Sequence, residues 1–149
     1  SCANRIEEWK DKVDFILIDI MGSFNQPEIF DLFTKVNHFL IPTRQSKFSV
    51  RAALQLYITL YQNIRPNSTE FEDCHIFFNH IPYKNHLNSI LPNMPEQFNF
   101  LTGFIPQHSA YEFKYLTTLY PIPKDKKEGA KLFEFAQQLI PLLTAVETA

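Results

Sequence analysis

Glycine is scarce in this chain, with only 3 glycines among its 149 residues. This composition favours packed helices and strands over flexible loops. None of the eighteen residues that precede Asp19 is a glycine, so these residues do not contain a glycine-rich phosphate loop.

Cysteine is equally rare, since Cys2 and Cys74 are too few and too isolated for a disulfide framework. No apolar run approaches the roughly 20 residues that a membrane-spanning helix needs, and the chain does not start like a signal peptide. We therefore expect a cytoplasmic protein without a membrane span. The net charge of −2 gives no global attraction to nucleic acid, so any such contact requires a local patch.

Four apolar runs predict β-strands, and helical patterns lie between them. The runs cover residues 13–20, 36–41, 74–79 and 100–105. Alternation of strands and helices is typical of an α/β fold with parallel pairings and right-handed crossovers. We predict a single α/β domain over residues 1–149, with a mostly parallel sheet layered with helices.

Apolar side chains that recur with a period of 3.6 residues predict the helices between these strands. The predicted helices follow Pro27, follow Pro42, cover residues 84–91 and begin near Lys126. Proline removes a backbone donor and clashes with the preceding turn. Pro141 is therefore expected to kink or end the last helix near Ile140.

The run at residues 13–20 carries a carboxylate, Asp19, near its end. An unbroken apolar run has no polar face and predicts a strand that is covered on both sides. Open α/β sheets bind ligands at the carboxyl ends of their strands, and nucleotide hydrolases hold Mg²⁺ with an aspartate there. We interpret Asp19 as a Mg²⁺ ligand acting through water; the alternative is a surface acid beside a turn.

Short motifs follow one another in an order that resembles the ParA/MinD family of partition ATPases. They are FILID at 15–19, IMGS at 20–23, FLIP at 39–42, IFFN at 76–79 and GFIP at 103–106. A Gln-containing loop follows Pro42, and a Gly–Ala pair lies near the start of the last helix. The resemblance covers nearly the whole chain. It implies an incomplete P-loop NTPase-like fold, because the family's phosphate loop and its lysines have no counterpart here.

The resemblance also implies roles for individual residues. Asn79 corresponds to the residue that reads the adenine edge, although a turn asparagine that satisfies local backbone groups is an equal alternative. Gly22 and Ser23 correspond to a phosphate-sensing switch. Pro106 and Gln107 correspond to backbone contacts in the base pocket.

For the intact protein, the resemblance implies ATP and Mg²⁺ as cofactors, neither of which is expected to bind this chain tightly. It implies a part in DNA partition, in chromosome or plasmid segregation, or in conjugative-element transfer, with DNA or a DNA-bound protein as partner. The parent is expected to be an ATPase, and this chain alone is expected to be inactive. A run over residues 13–20 that lacks its neighbouring strand also predicts a homo-oligomer, because unpaired apolar edges associate.

Two other classes of function remain open. DFILIDIMG, residues 14–22, is similar to the phospho-acceptor strand of a receiver domain, but GFIPQH offers no lysine where receivers have one. The second alternative is a nucleotide-independent interaction module with an ATPase-like fold. This reading explains the missing phosphate loop without truncation.

Histidines and lysines suggest two weaker sites. His75 and His80 are five residues apart and would face opposite sides of a strand, and neither they nor His86 have a cysteine or carboxylate to complete a zinc site. A basic cluster near the last helix could contact DNA, although interleaved acids favour a solvated helix start. Its members are Lys124, Lys126, Lys127 and Lys131.

Overall fold

The computed structural model describes residues 2–20, 27–82, 84–107 and 127–144. The helices are α1 (Cys2–Trp9), α2 (Pro27–Phe33), α3 (Lys47–Thr59), α4 (Lys84–Ile90) and α5 (Lys127–Thr144). The strands are β1 (His38–Thr43), β2 (Asp73–Ile81) and β3 (Phe100–Pro106). A π-helical turn at Leu60–Ile64 and a 3₁₀ turn at Arg65–Asn67 follow α3, and a 3₁₀ turn at Leu91–Asn93 follows α4.

The described strands form one three-stranded parallel sheet in the order β1-β2-β3. The central strand β2 is buried without a break from Cys74 to Phe78, as expected for a strand that is covered on both faces. The structure confirms a mixed α/β arrangement with a parallel sheet layered with helices. The strands predicted at 36–41, 74–79 and 100–105 are confirmed, with boundaries shifted by up to two residues.

The strand predicted at residues 13–20 is not formed. This run has no strand, and its side chains are exposed, with 85% of Leu17 and 52% of Phe15 accessible. No backbone hydrogen bond joins the run to any other described residue. A strand requires a neighbour that supplies the ladder of hydrogen bonds. Since none of the described residues supplies one, the prediction is wrong.

The chain divides into two compact units. The first contains residues 1–39 and 58–73, and the second contains residues 40–57 and 74–149. The prediction of a single domain stays a prediction.

Aromatic rings form the core of the first unit. Phe39 meets Phe33 edge to face, with ring centroids 5.2 Å apart, and stacks on Phe71 at 5.4 Å. Tyr61 meets the same Phe71 ring edge to face at 5.3 Å. The hydroxyl of Tyr61 also donates a hydrogen bond to Oδ1 of Asp73 at 2.8 Å. The segment that precedes β2 is therefore held by these aromatic contacts and by the hydrogen bond between Tyr61 and Asp73.

Two apolar clusters cover the sheet in the second unit. On one face Phe77 packs with Leu101 and with Phe135 of α5, the two phenylalanine rings being 4.9 Å apart. The other cluster contains Phe78, Ile81 and Leu87. Successive residues of a strand point to opposite faces, so Phe77 and Phe78 belong to different clusters. The two phenylalanines account for the layering of helices on both sides.

The predicted helices are confirmed, with one difference at the last of them. α5 continues through Pro141 to Thr144. Of the two expected effects of Pro141, a kink or an end near Ile140, the end is not observed, and the kink stays a prediction. The missing N–H of Pro141 deprives the Gln137 carbonyl of its intrahelical partner, but both residues are exposed and water can satisfy that oxygen. Among the helices of the described ranges, none is both long enough and apolar enough to cross a membrane.

Candidate functional site at the carboxyl edge of the sheet

The carboxyl ends of β2 and β3 lie side by side because the two strands run parallel. Asn79 pairs with Ile105, and Ile81 pairs with Pro106. One residue beyond Pro106, the backbone N–H of Gln107 donates a hydrogen bond to the carbonyl oxygen of Ile81 at 2.8 Å. Asn79, Pro106 and Gln107, three residues singled out by sequence, therefore share one edge of the sheet.

His80 forms a β-bulge at this edge. Between the two pairs, β2 advances by two residues while β3 advances by one. The extra residue, His80, has a φ of 62°, in the left-handed region that non-glycine residues rarely adopt. Bulges and left-handed residues concentrate at functional sites, where they redirect neighbouring side chains. Nothing in the neighbouring sequence predicts this bulge, because it depends on the register between β2 and β3.

The side chain of Asn79 is half-buried beside the bulge. Within the described ranges, no hydrogen bond is formed by its amide group. An amide offers both a donor and an acceptor. The geometry therefore leaves Asn79 able to read a planar ligand that presents the complementary pair, as the edge of a purine base does.

The end of β1 contributes a second unsatisfied amide group. Pro42 lies in β1 and Thr43 ends it, and Nε2 of Gln45 two residues later is buried without a hydrogen-bond partner among the described residues. A buried donor without a hydrogen bond lowers stability by roughly 1–3 kcal/mol. A ligand or a water molecule that accepts a hydrogen bond from Nε2 of Gln45 would remove this cost. Gln45 is the glutamine of the loop that carries the family resemblance, but the sequence assigned no role to its side chain.

Helix α3 begins directly after this loop. Ser46 caps it, because its Oγ accepts a hydrogen bond from the N–H of Ser49 at 3.1 Å and donates one to Oγ of Ser49 at 2.9 Å. The cap fixes the direction in which α3 leaves the sheet edge.

Asp19 belongs to the first unit, where it lines an open, mostly apolar cavity of about 490 Å³. Arg5 and Trp9 of α1 and Leu17 of the exposed run also line this cavity. In the described part of the chain, no three histidine, cysteine, aspartate or glutamate side chains cluster as a metal site would require. A lone carboxylate suffices for Mg²⁺ only where waters and substrate phosphates complete the octahedron.

Several predicted residues lie outside what the structure describes. Gly22 and Ser23 are outside the described ranges, as are Lys124 and Lys126 of the basic cluster. Lys127 and Lys131 lie in α5, and His86 lies in α4. His75 is buried in β2, with 2% of its surface accessible. The described histidines form no group of three potential metal ligands with cysteine, aspartate or glutamate.

The side chains at the carboxyl edge of the sheet match some of the groups of ATP and not others. The amides of Asn79 and Gln45 fit the recognition of a base. The three glycines of the chain, at 22, 103 and 129, are too far apart in sequence to form a glycine-rich phosphate loop. The chain matches no protein-family model, and no significant similarity to a curated protein or a solved structure was found.

Proposed function

We propose that this chain is part of a ParA-like ATPase that acts in the cytoplasm in DNA partition, in chromosome or plasmid segregation, or in conjugative-element transfer. One observation carries the proposal: Asn79 and Pro106, which correspond to base-contacting residues of that family, lie near the carboxyl ends of neighbouring parallel strands. The ordered series of motifs described above supports the same conclusion. Ligands of open parallel sheets bind at this edge.

Each of the predicted site residues has a separate role in this proposal. The amide of Asn79 reads the adenine edge, and the backbone of Pro106 and Gln107 contacts the base. By the resemblance alone, Asp19 corresponds to the residue that holds Mg²⁺ through water, and Gly22 with Ser23 corresponds to the switch that senses the terminal phosphate. Bound Mg²⁺ neutralises charge on the transferred phosphoryl group. The phosphate cradle and its lysines are not among these 149 residues, so this chain alone contacts the base and does not hydrolyse ATP.

A second candidate is a nucleotide-independent interaction module. The exposed apolar run over residues 13–20 favours it. Contiguous exposed apolar surface marks protein–protein contact in soluble domains. On this reading the carboxyl edge of the sheet has no ligand of its own, and Asn79 has only a structural role near the end of β2.

A titration with nucleotide followed by amide NMR separates the two candidates. Addition of ATP with Mg²⁺ to the 15N-labelled chain is expected to shift the backbone amides of Asn79, His80 and Gln107 more than GTP does. Asn79→Ala is expected to abolish the difference between ATP and GTP. Asn88→Ala, at an exposed asparagine of α4, is the matched control and is expected to retain it.

Two results would contradict the proposal. Unchanged amides at millimolar ATP in a folded sample would favour the interaction module. Steady ATP turnover by the purified chain that Asp19→Ala abolishes would contradict the statement that the 149 residues lack a phosphate cradle.

A further inference from the structure

The outward face of α3 is basic, although the chain as a whole is slightly acidic. No aspartate or glutamate occurs between Asp31 and Glu70. Within that interval, Arg44 lies just before α3, and Lys47 and Arg51 lie on it, all three exposed. The local patch that a nucleic-acid contact requires in an acidic chain is therefore present here.

The helical period separates the inward and outward residues of α3. Val50 packs against the cluster around Phe78, and Ala53 and Tyr57 are buried. Lys47 and Arg51 are four residues apart and therefore lie on the same face. Because Val50, Ala53 and Tyr57 pack inward, Lys47 and Arg51 lie on the solvent side of the helix.

Phe48 lies on the same solvent side, three residues before Arg51. It is 88% exposed, the most exposed of the large apolar side chains in the described part of the chain. Removing an exposed phenylalanine ring from water is favourable by about 25 cal/mol per Å² of apolar surface. Its position among cations suits a partner that has both negative charge and an exposed flat face.

No carboxylate neutralises these cations within the described ranges. The lysines of the first unit behave differently, because Lys10 pairs with Glu7 at 2.7 Å, Lys35 with Glu7 at 3.1 Å and Lys12 with Glu8 at 3.9 Å. The charges of Arg44, Lys47 and Arg51 are therefore available to an anionic partner.

We propose that Arg44, Lys47, Phe48 and Arg51, here called the α3 basic face, bind single-stranded nucleic acid. The three cations contact backbone phosphates, and an unpaired base stacks on the Phe48 ring. Basic grooves with aromatic platforms are how proteins hold single strands. In a duplex the bases stack on one another and offer no free face to Phe48. An acidic peptide would neutralise the cations and leave the ring in water.

This inference does not depend on the nucleotide site. Phosphate contacts and base stacking on α3 require neither ATP nor Asn79, and the experiment is done without nucleotide or Mg²⁺. Its failure would leave the proposed function untouched, and a failed ATP titration would leave the α3 basic face untouched.

Fluorescence anisotropy with a labelled oligo-dT of about 16 nucleotides, a length that spans one single-strand site, tests the proposal on the intact chain. Phe48→Ala is expected to weaken binding by about 5- to 150-fold, the effect of losing one stacked base. Phe48→Tyr keeps a ring and is expected to restore it. Phe30→Ala removes another exposed phenylalanine, 43% accessible on α2, and is expected to have no effect.

The contribution of the three cations to oligo-dT binding is measured from the dependence of the binding constant on salt concentration. For single strands the slope of log K against log salt is about −0.7 per neutralised phosphate. The triple variant Arg44→Gln/Lys47→Gln/Arg51→Gln should therefore lose about 2 units of slope. Arg5→Gln/Lys10→Gln/Lys12→Gln changes the net charge equally on exposed residues of the first unit and is expected to keep the wild-type slope.

Four outcomes would overturn the proposal. They are an absence of binding at low salt, equal losses in the test and control triples, an unchanged affinity in Phe48→Ala, and binding of a hairpin duplex or of poly-glutamate as tight as that of oligo-dT. The substituted side chains are exposed, so a thermal melt that matches wild type checks that each variant is folded.

Discussion

Gln107 is tied to Ile81 by a hydrogen bond of 2.8 Å from its backbone N–H to the Ile81 carbonyl oxygen. The bond joins β2 and β3 directly after the bulge at His80, where the register of the two strands shifts. It therefore keeps Asn79 and Pro106 on neighbouring strand ends despite the irregularity. The candidate base site depends on this junction rather than on regular pairing.

Backbone strain at His80 gives the first prediction. A non-glycine residue in the left-handed region costs about 1–2 kcal/mol, and β-branched residues tolerate it least. His80→Gly is expected to leave the free energy of unfolding within about 1 kcal/mol of wild type, because relief of strain offsets the added freedom of the unfolded chain. His80→Val is expected to lower it by about 1–3 kcal/mol.

Urea denaturation measures both His80 variants. His80→Asn is the control, because asparagine accepts positive φ, and it should unfold near the wild-type midpoint. A Val variant as stable as the Gly variant would show that His80 does not adopt the left-handed conformation in solution.

The hydrogen bond between Tyr61 and Asp73 gives a second prediction. Tyr61→Phe removes the hydroxyl and keeps the ring contact with Phe71. It should lower the free energy of unfolding by about 1 kcal/mol, the usual net worth of a hydrogen bond. A double-mutant cycle with Asp73→Ala measures the coupling directly. If the losses of unfolding free energy in the two single variants simply add in the double variant, the hydrogen bond between Tyr61 and Asp73 is not formed in solution.

Glu7 provides a prediction about pH. Hydrogen bonds and charge from Lys10 and then Lys35 hold the pKa of the Glu7 carboxyl below its ordinary value, and Glu7 raises the pKa of Lys10. A depressed carboxyl pKa contributes stability above the unfolded pKa, and this stability is lost as the pH falls through the folded pKa. The contribution is small and sensitive to salt, because Glu7 is exposed.

An NMR titration of the Glu7 side-chain carbon checks this assignment. Lys35→Ala is expected to raise the Glu7 pKa. Lys12→Ala removes a lysine that pairs with Glu8 instead, and it should leave the Glu7 pKa unchanged. The same Glu7 pKa in wild type and in Lys35→Ala would contradict the pairing.

The exposed run over residues 13–20 predicts self-association. Unpaired apolar segments join other chains, and Leu17 is the most exposed side chain of the run at 85%. Leu17→Lys should shift the chain toward monomer in sedimentation velocity with little change in thermal stability. Phe48→Lys places the same charge at a residue of similar exposure on α3 and should not alter association. A monodisperse wild-type monomer at high concentration would contradict this prediction.

The strands at 74–79 and 100–105 were predictable because the chain itself supplies their partners. β2 and β3 pair with each other, and helices cover β2 on both faces. The run at 13–20 has the same local pattern but no hydrogen-bonding neighbour among the described residues. Apolar character measures the tendency to be buried, and strand formation also needs a second strand.

The candidate site was predictable in part. Asn79 and Pro106 follow apolar runs, and the parallel arrangement of the sheet brings those run ends to one edge. The left-handed conformation of His80 and the buried amide of Gln45 depend on register and packing between elements. The motif after Pro42 marks Gln45 as part of a loop, but it does not predict that the amide group is buried, and no local pattern marks the conformation of His80.

Photocrosslinking with 8-azido-ATP tests the central claim, that the carboxyl edge of the sheet holds an adenine base, most directly. Because the reactive group is attached to the base, the label is expected between residues 73 and 82 or between residues 100 and 107. It should be lost when unlabelled ATP competes and reduced in Asn79→Ala. Labelling spread over other segments, or labelling that ATP does not displace, would contradict the claim.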